Sequence, residues 1–381
     1  MGREEEMVVE SREWVLSAYA SQGLPTSEHL KLNTVTLKLD SDSIPDRHVA
    51  LQLLWLSIDP YLRTTMTGHQ DGLYLTQLEL NQPITAFGMA RVIRSKNSSY
   101  KEGDIVLNPF SPVAEYCIIP SDSLRKLDPD AGIPLPDYLS SLGLPGFSAW
   151  VGIEVVGKPK PGENVFISAA AGGVGMFAGQ LAKIKGCRVV GSTGSDEKWD
   201  LGPFSIVTSG RQLESSPFHP LLDVKLLKEE FGYDDAFNYN TETDFDAALS
   251  KYFPTGIDIY FENVGGKMLE AVLNHVNTRA RIPVCGMISQ YNQVWSEREG
   301  VRNLLNMVGK EVRMEGFLVG SYLNRFGDFA KEMESYMKQG KISSKHKIYN
   351  GIESFLESLA SMFSSSNVGK VVIQVKQEMD A

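Results

Sequence analysis

The stretch Ala169-Ala170-Ala171-Gly172-Gly173-Val174-Gly175-Met176 decides how this chain is read. It follows the apolar run Asn164-Val165-Phe166-Ile167-Ser168 and opens a helix-like segment from Met176 to Lys185. Strand, glycine-rich turn and helix in that order place a dinucleotide pyrophosphate against the N–H groups of a helix N-terminus. Small residues let the backbone come close to the phosphates. The pattern is A-x-x-G-x-x-G rather than G-x-G-x-x-G, so the flanking strand and helix carry as much weight as the glycines.

From about residue 143 onward, strands alternate with helices. The predicted strands are Val165–Ser168, Arg188–Gly191, Asp235–Tyr239, Ile257–Phe261, Arg281–Cys285 and Val312–Val319. Between and after them the spacing predicts helices over Met176–Lys185, Val224–Phe231, Phe245–Tyr252, Lys267–Val276, Val301–Val308 and Phe326–Gln339. That alternation predicts an α/β fold with a doubly wound parallel sheet, a Rossmann domain over 143–342. Up to residue 142 the chain instead carries β-type runs broken by Gly, Pro and Asn: Leu30–Leu37, His48–Ile58, Met89–Ile93, Asp104–Leu107 and Ala114–Ile119. They predict a mainly β, barrel-like domain. The tail ends in a short β run, Lys370–Val375, that is expected to return to it, so 343–381 is assigned with 1–142.

Composition narrows the partners. The chain has 381 residues, enough for about two domains, and a formal net charge of −10, which disfavours nucleic acid and anionic membranes. Cys117, Cys187 and Cys285 are widely spaced and form no C-x-x-C pair, which suits a reducing compartment. The acidic N-terminus lacks an apolar signal core, and no apolar run is long enough to span a bilayer. A cytoplasmic protein is expected.

At the expected end of the second strand stands Gly194-Ser195-Asp196-Glu197-Lys198. A cation there favours an adenosine 2′-phosphate, hence NADP; Asp196 or Glu197 binding the ribose 2′-hydroxyl would favour NAD. Further motifs are Leu56-Ser57-Ile58-Asp59-Pro60-Tyr61-Leu62-Arg63, Phe237-Asn238-Tyr239, Phe261-Glu262-Asn263-Val264-Gly265-Gly266, Cys285-Gly286-Met287-Ile288-Ser289-Gln290-Tyr291-Asn292, Phe317-Leu318-Val319 and Asn367-Val368-Gly369-Lys370. Together, in order and over nearly the whole chain, these resemble the zinc-independent medium-chain reductases, specifically the plant NADPH-dependent 2-alkenal (double-bond) reductases. Prostaglandin reductase is similar.

The resemblance implies a GroES-like β domain beside the Rossmann domain, a homodimer, and NADPH as cofactor. It implies hydride transfer to the carbon–carbon double bond of α,β-unsaturated aldehydes and ketones, in carbonyl detoxification or phenylpropanoid-type metabolism. It tips the cofactor choice to Lys198. Cofactor-binding residues would be Pro60, Gly172, Gly173, Val174, Gly175, Met176, Gly194, Lys198, Tyr239, Asn263, Cys285, Ser289, Tyr291, Phe317, Leu318, Val319 and Asn367. Tyr61 and Tyr291 are the candidate catalytic donors, because charge developing on the carbonyl oxygen needs a hydrogen-bond donor. Tyr74 joins them as a candidate wall of the substrate pocket. The strand Val312–Val319 is a candidate edge for pairing across a dimer.

Gly68-His69-Gln70 is the nearest approach to a G-H-E zinc-ligand motif; it lacks the glutamate, and no metal is expected. One segment departs from the family. Joining Lys198 to Val224 restores the usual passage into the helix, so Trp199–Asp223 are 25 extra residues, rich in Pro, Gly and Ser. They are expected to form a surface loop beside the adenosine site. Two outcomes follow: the loop displaces Lys198 and weakens NADPH binding, leaving an impaired cofactor-binding protein, or it folds away. A quinone oxidoreductase is the competing activity.

Overall fold

The computed structural model describes residues 7–40, 42–69, 75–194, 206–208, 211–212, 222–364 and 367–376. The chain divides into two compact units, one of residues 1–139, 348–362 and 371–381, the other of residues 140–347 and 363–370.

The first unit is mainly β. Strands β1 (Val8–Leu16) and β2 (Leu30–Lys38) pair antiparallel along their whole length. A larger antiparallel sheet is built on β3 (His48–Ser57), which pairs with β4 (Thr85–Ser95) and β6 (Tyr116–Pro120). β5 (Ile105–Pro112) joins β4, and β7 (Arg125–Lys126) joins β5. The C-terminal strand Lys370–Gln374 returns to β3, with Val372–Gln374 opposite Ser57–Trp55. β3 reads as a nearly unbroken apolar run because neighbours cover it: Val49, Ala50, Leu51, Leu53 and Leu56 are fully buried. It feeds directly into the one-turn helix α1 (Tyr61–Thr64).

The second unit opens with α2 (Leu144–Trp150), which continues as a π-helical turn, Val151–Gly157. The elements of the parallel sheet follow: β8 (Asn164–Ile167), helix α3 (Gly175–Ile184), β9 (Arg188–Thr193), then β10 (Ile206–Thr208) and β11 (Arg211–Gln212), an antiparallel pair outside that sheet, and α4 (Leu222–Glu229) and β12 (Asp235–Asn238). Then come α5 (Phe245–Tyr252), β13 (Ile257–Phe261), α6 (Gly266–His275), β14 (Val276–Val284), α7 (Leu305–Gly309), β15 (Arg313–Gly316) and α8 (Phe326–Lys338). The strand order is β12-β9-β8-β13-β14-β15, with every pairing parallel. The order reverses beside β8, which makes the carboxyl end of β8 the switch point where such sheets take their ligands.

Helices cover the sheet, so its central strands are apolar throughout: Val165, Phe166, Ile167, Ile259, Tyr260 and Phe261 are all fully buried. α6 presents Met268, Leu269, Val272 and Leu273 to this core. Asp244 caps α5, its carboxylate accepting from the Ala247 amide at 3.0 Å.

Several elements differ from the sequence expectation. The last strand ends at Gly316 rather than Val319, because its partner β14 stops at Val284; Val319–Arg325 winds into 3₁₀ turns instead. The helix expected from Val301 starts at Leu305, because Asn303 folds back to donate to the Glu270 carbonyl (2.6 Å) and Asn274 (2.8 Å).

Candidate functional site

The turn after β8 is shaped by contacts only small residues allow. Ala169 sits at φ 48°, the left-handed region, and the Ala170 amide donates to the Ser192 carbonyl at 2.8 Å. The chain then closes on itself: Gly172 N–H donates to Ala169 O at 3.0 Å and Met176 N–H to Gly172 O at 3.1 Å. A Cβ on Gly175 would lie 2.3 Å from Ala169 O and 2.7 Å from Ala170 Cα, so no other residue fits there. No side chain caps the N-terminus of α3. The Met176 and Phe177 amides of this first turn bond backbone carbonyls, those of Gly172 and Val174, and the Gly175 amide meets no side-chain cap. Met176 is the second residue of this helix and is buried.

A second strand of chain crosses the turn. Gly369 N–H donates to Ala171 O at 2.7 Å, and Gly172 bridges to Gly369. Just before it, Asn367 Oδ1 is buried with no hydrogen-bond partner. A buried orphan acceptor beside a glycine-rich turn fits a ligand that supplies a donor. The cradle at Gly172–Gly175, the uncapped helix and this orphan oxygen together fit a dinucleotide.

Around the carboxyl edge, Gly194 follows β9, and Asn240 donates from its side-chain amide to the Gly194 carbonyl. Tyr239 is half-buried at the end of β12, its N–H bonded to Thr193 O at 3.0 Å. Asn263 follows β13 and is tied to Ser168: its N–H donates to Ser168 Oγ (3.0 Å) and its Nδ2 to Ser168 O (2.7 Å). Cys285 follows β14; burial and the nearby Glu262 push its thiol up to about 12. Ser289 donates to Val264 O at 2.6 Å. The Tyr291 hydroxyl folds over its own loop and accepts from the Met287 N–H at 3.3 Å, over Gly286, where a Cβ would stand 2.6 Å from it. Phe317 is buried edge-on against Phe261, whereas Leu318 is exposed and Val319 starts the 3₁₀ segment. All these residues belong to the second unit. Lys198, with Asp196 and Glu197, lies outside the described residues, as does Tyr74.

Pro60 and Tyr61 belong to the first unit, where β3 delivers them. The turn is held by Ser57 Oγ donating to Asp59 Oδ2 (2.6 Å), by buried Leu62, and by fully buried Arg63, whose Nε donates to Gly23 O at 2.8 Å. Burial, with the Asp59 charge behind it, raises the Tyr61 phenol far above its ordinary range. It therefore stays a donor at any working pH.

Sequence reasoning missed two residues. Tyr233 is fully enclosed and donates to Gly175 O at 2.8 Å; Cβ atoms at Gly179 or Gly191 would overlap its ring. Glycines inside a helix and a strand were the signal. The other is Glu262, taken up below. Among the described residues no three His, Cys, Asp or Glu side chains gather, and His69 Nε2 lies 3.0 Å from the Ser21 carbonyl.

Comparison with known proteins agrees with this geometry. Residues 12–127 match the family described as the N-terminal domain of oxidoreductase, and residues 223–336 match the family described as zinc-binding dehydrogenase. The NADP(+)-dependent 2-alkenal reductase of Nicotiana tabacum is 40% identical over 97% of this chain and 99% of its own length. The (+)-pulegone reductase of Mentha piperita is 38% identical, covering 97% of this chain and all of its own. Among solved structures, CurA from Vibrio vulnificus in complex with NADPH superposes with a TM-score of 0.81 at 30% identity, over 96% of this chain and 99% of that one. The chain therefore belongs to the zinc-independent medium-chain dehydrogenase/reductase superfamily, in the family of NADP-dependent 2-alkenal (double-bond) reductases.

Proposed function

We propose that this protein is an NADPH-dependent reductase of α,β-unsaturated aldehydes and ketones. The observation that carries the reading is the glycine cradle at the switch point of the sheet, in a chain whose full-length relatives include an NADP-dependent 2-alkenal reductase and a pulegone reductase. NADPH supplies the hydride.

The chain's residues bind and polarise. Gly172, Gly173, Val174, Gly175 and Met176 hold the pyrophosphate on the α3 N-terminus, and Lys198 with Gly194 and Tyr239 receives the adenosine end. Asn263, Cys285, Ser289, Tyr291, Phe317, Leu318, Val319 and Asn367, with Pro60, enclose the nicotinamide end. Tyr61, held protonated, donates to the carbonyl oxygen as charge develops there; Tyr291 and Tyr74 complete the substrate wall. In this division of labour 143–342 binds the cofactor, while 1–142 and 343–381 supply the substrate side.

The active form is a homodimer joined at β15, the edge strand of the parallel sheet. Leu305, Val308 and Leu323, 79%, 75% and 63% exposed, lie in the segments flanking that edge, and apolar surface of this kind marks association sites. Three free cysteines suit the reducing cytoplasm.

The test is to follow NADPH absorbance while the purified protein is offered trans-2-nonenal, with a quinone in parallel. Oxidation of NADPH with formation of the saturated aldehyde is expected. Turnover with the quinone and none with the enal would replace this reading by a quinone oxidoreductase.

A further inference from the structure

Glu262 is a fully buried carboxyl at the carboxyl end of β13, between the turns assigned above to the cofactor. Its backbone and side chain bond in three directions. The Glu262 carbonyl accepts from the amides of Cys285 (2.9 Å) and Gly286 (3.2 Å), and its own N–H donates to Pro283 O (3.0 Å), which fastens the end of β14. Its Oε1 gathers the Val264 amide (2.5 Å), the Gly265 amide (2.9 Å) and the Tyr260 hydroxyl (2.9 Å), which fixes the turn after β13. The same oxygen lies 3.3 Å from the hydroxyl of Ser168, at the end of β8.

Ser168 is the residue that holds Asn263, through two hydrogen bonds, one to its backbone N–H and one from its side-chain amide. The buried carboxyl thus ties the end of β8 to the turn after β13, with Asn263 at their junction, while the backbone of the same residue holds the end of β14. Glu262 touches no reacting atom in this arrangement. Nor does it balance a buried cation: its partners are amides and hydroxyls, and Oε2 is buried without a hydrogen-bond partner. A buried carboxyl with an unsatisfied oxygen is costly, of order 1–3 kcal/mol for the unmade bond alone. A core that needed only packing would be served by an apolar side chain of similar volume.

We propose that Glu262 is a positioning residue for hydride transfer, setting through Ser168 and its own turn where Asn263 stands. The inference rests on the assignment of Asn263 to the nicotinamide end of the site. Small displacements of positioning groups act on the chemical step more than on ground-state binding.

The test is kinetic, with E262Q, N263A and the double variant E262Q/N263A, measured with NADPH and an enal. Glutamine keeps the length and volume but replaces a charge-capable acceptor with a weaker neutral one. E262Q is expected to bind NADPH within about threefold of the parent by fluorescence titration, and to lose about tenfold in kcat. Its deuterium isotope effect with 4-deuterated NADPH is expected to rise as the chemical step becomes limiting. Because it acts through Asn263, the double variant is expected to be no slower than N263A alone.

A fall in melting temperature with unchanged kcat, or a change confined to NADPH affinity, overturns the proposal, as does strict additivity in the double variant. If N263A impairs the enzyme and E262Q does not, the positioning role fails and the site assignment stands. If neither has an effect, the assignment of Asn263 fails with it. Should E262Q not fold, Y260F decides by the same readouts. It removes the hydroxyl that bonds both the carboxyl (2.9 Å) and Ser168 Oγ (3.1 Å), and leaves the ring stacked on Phe166. A parental kcat and isotope effect in Y260F would overturn the role.

Discussion

Gly175 shows how one missing side chain governs the cofactor turn. Its place in the turn brings its Cα so close to Ala169 O and Ala170 that a methyl group has nowhere to go, since both neighbours are backbone. Gly175→Ala is therefore expected to destabilise the fold by about 1–3 kcal/mol and to weaken NADPH binding by about tenfold or more, 1.4 kcal/mol per decade. Thermal denaturation with and without NADPH measures both; an unshifted melting temperature and an unchanged NADPH titration would contradict the crowding argument. This glycine was legible in the sequence because small residues at fixed spacing between a strand and a helix have few other uses. Ala169 was not, since its left-handed φ follows from the turn's closure rather than from the residue type. Tyr233 and Glu262 were hidden for a different reason. Their partners Gly175 and Ser168 come from distant parts of the chain.

Among elements, those with a complete amphipathic or apolar period were readable, and those set by a neighbour's length were not. Phe245–Tyr252 and Ile257–Phe261 occupy the residues that periodicity assigns to them. β14 runs from Val276, five residues earlier than expected, because Ile257 of β13 is available there to pair with Val276. β15 shrinks to four residues for the converse reason, and it is left with one described neighbour. A short edge strand flanked by exposed Leu305, Val308 and Leu323 is an unfinished surface. If it is the dimer contact, L305D/V308D places two charges in an apolar interface and is expected to yield monomers, with NADPH binding by the glycine turn retained. Sedimentation or light scattering reads the mass directly; an unchanged dimer would move the interface elsewhere, and a monomeric parent protein would abolish it.

At the scale of the whole chain, the open question is what residues 199–223, which the family resemblance reads as an insertion, do to the adenosine site. The sequence places the insertion directly after Lys198, in the passage from the second strand to its helix, and so offers two outcomes for the adenosine site. The described part of it, Ile206–Thr208, lies antiparallel to Lys345–Lys347 and turns back through Arg211–Gln212. That backbone ladder is a local anchor, reinforced close by where Lys345 pairs with Glu230 at 2.7 Å, just past the end of α4. A segment anchored on that strand has its own place to rest, and lengthening a surface connection costs little more in loop entropy, about 0.6 kcal/mol per doubling. Deleting residues 199–223 is therefore expected to leave NADPH affinity within about threefold and to shift the melting temperature by only a few degrees, about 1 kcal/mol or less. Fluorescence titration with NADPH and with NADH distinguishes the outcomes. Affinity that rises tenfold or more for NADPH, with NADH unchanged, would mean that the insertion had been holding Lys198 away from the 2′-phosphate, and that this chain carries the family's site in a weakened form.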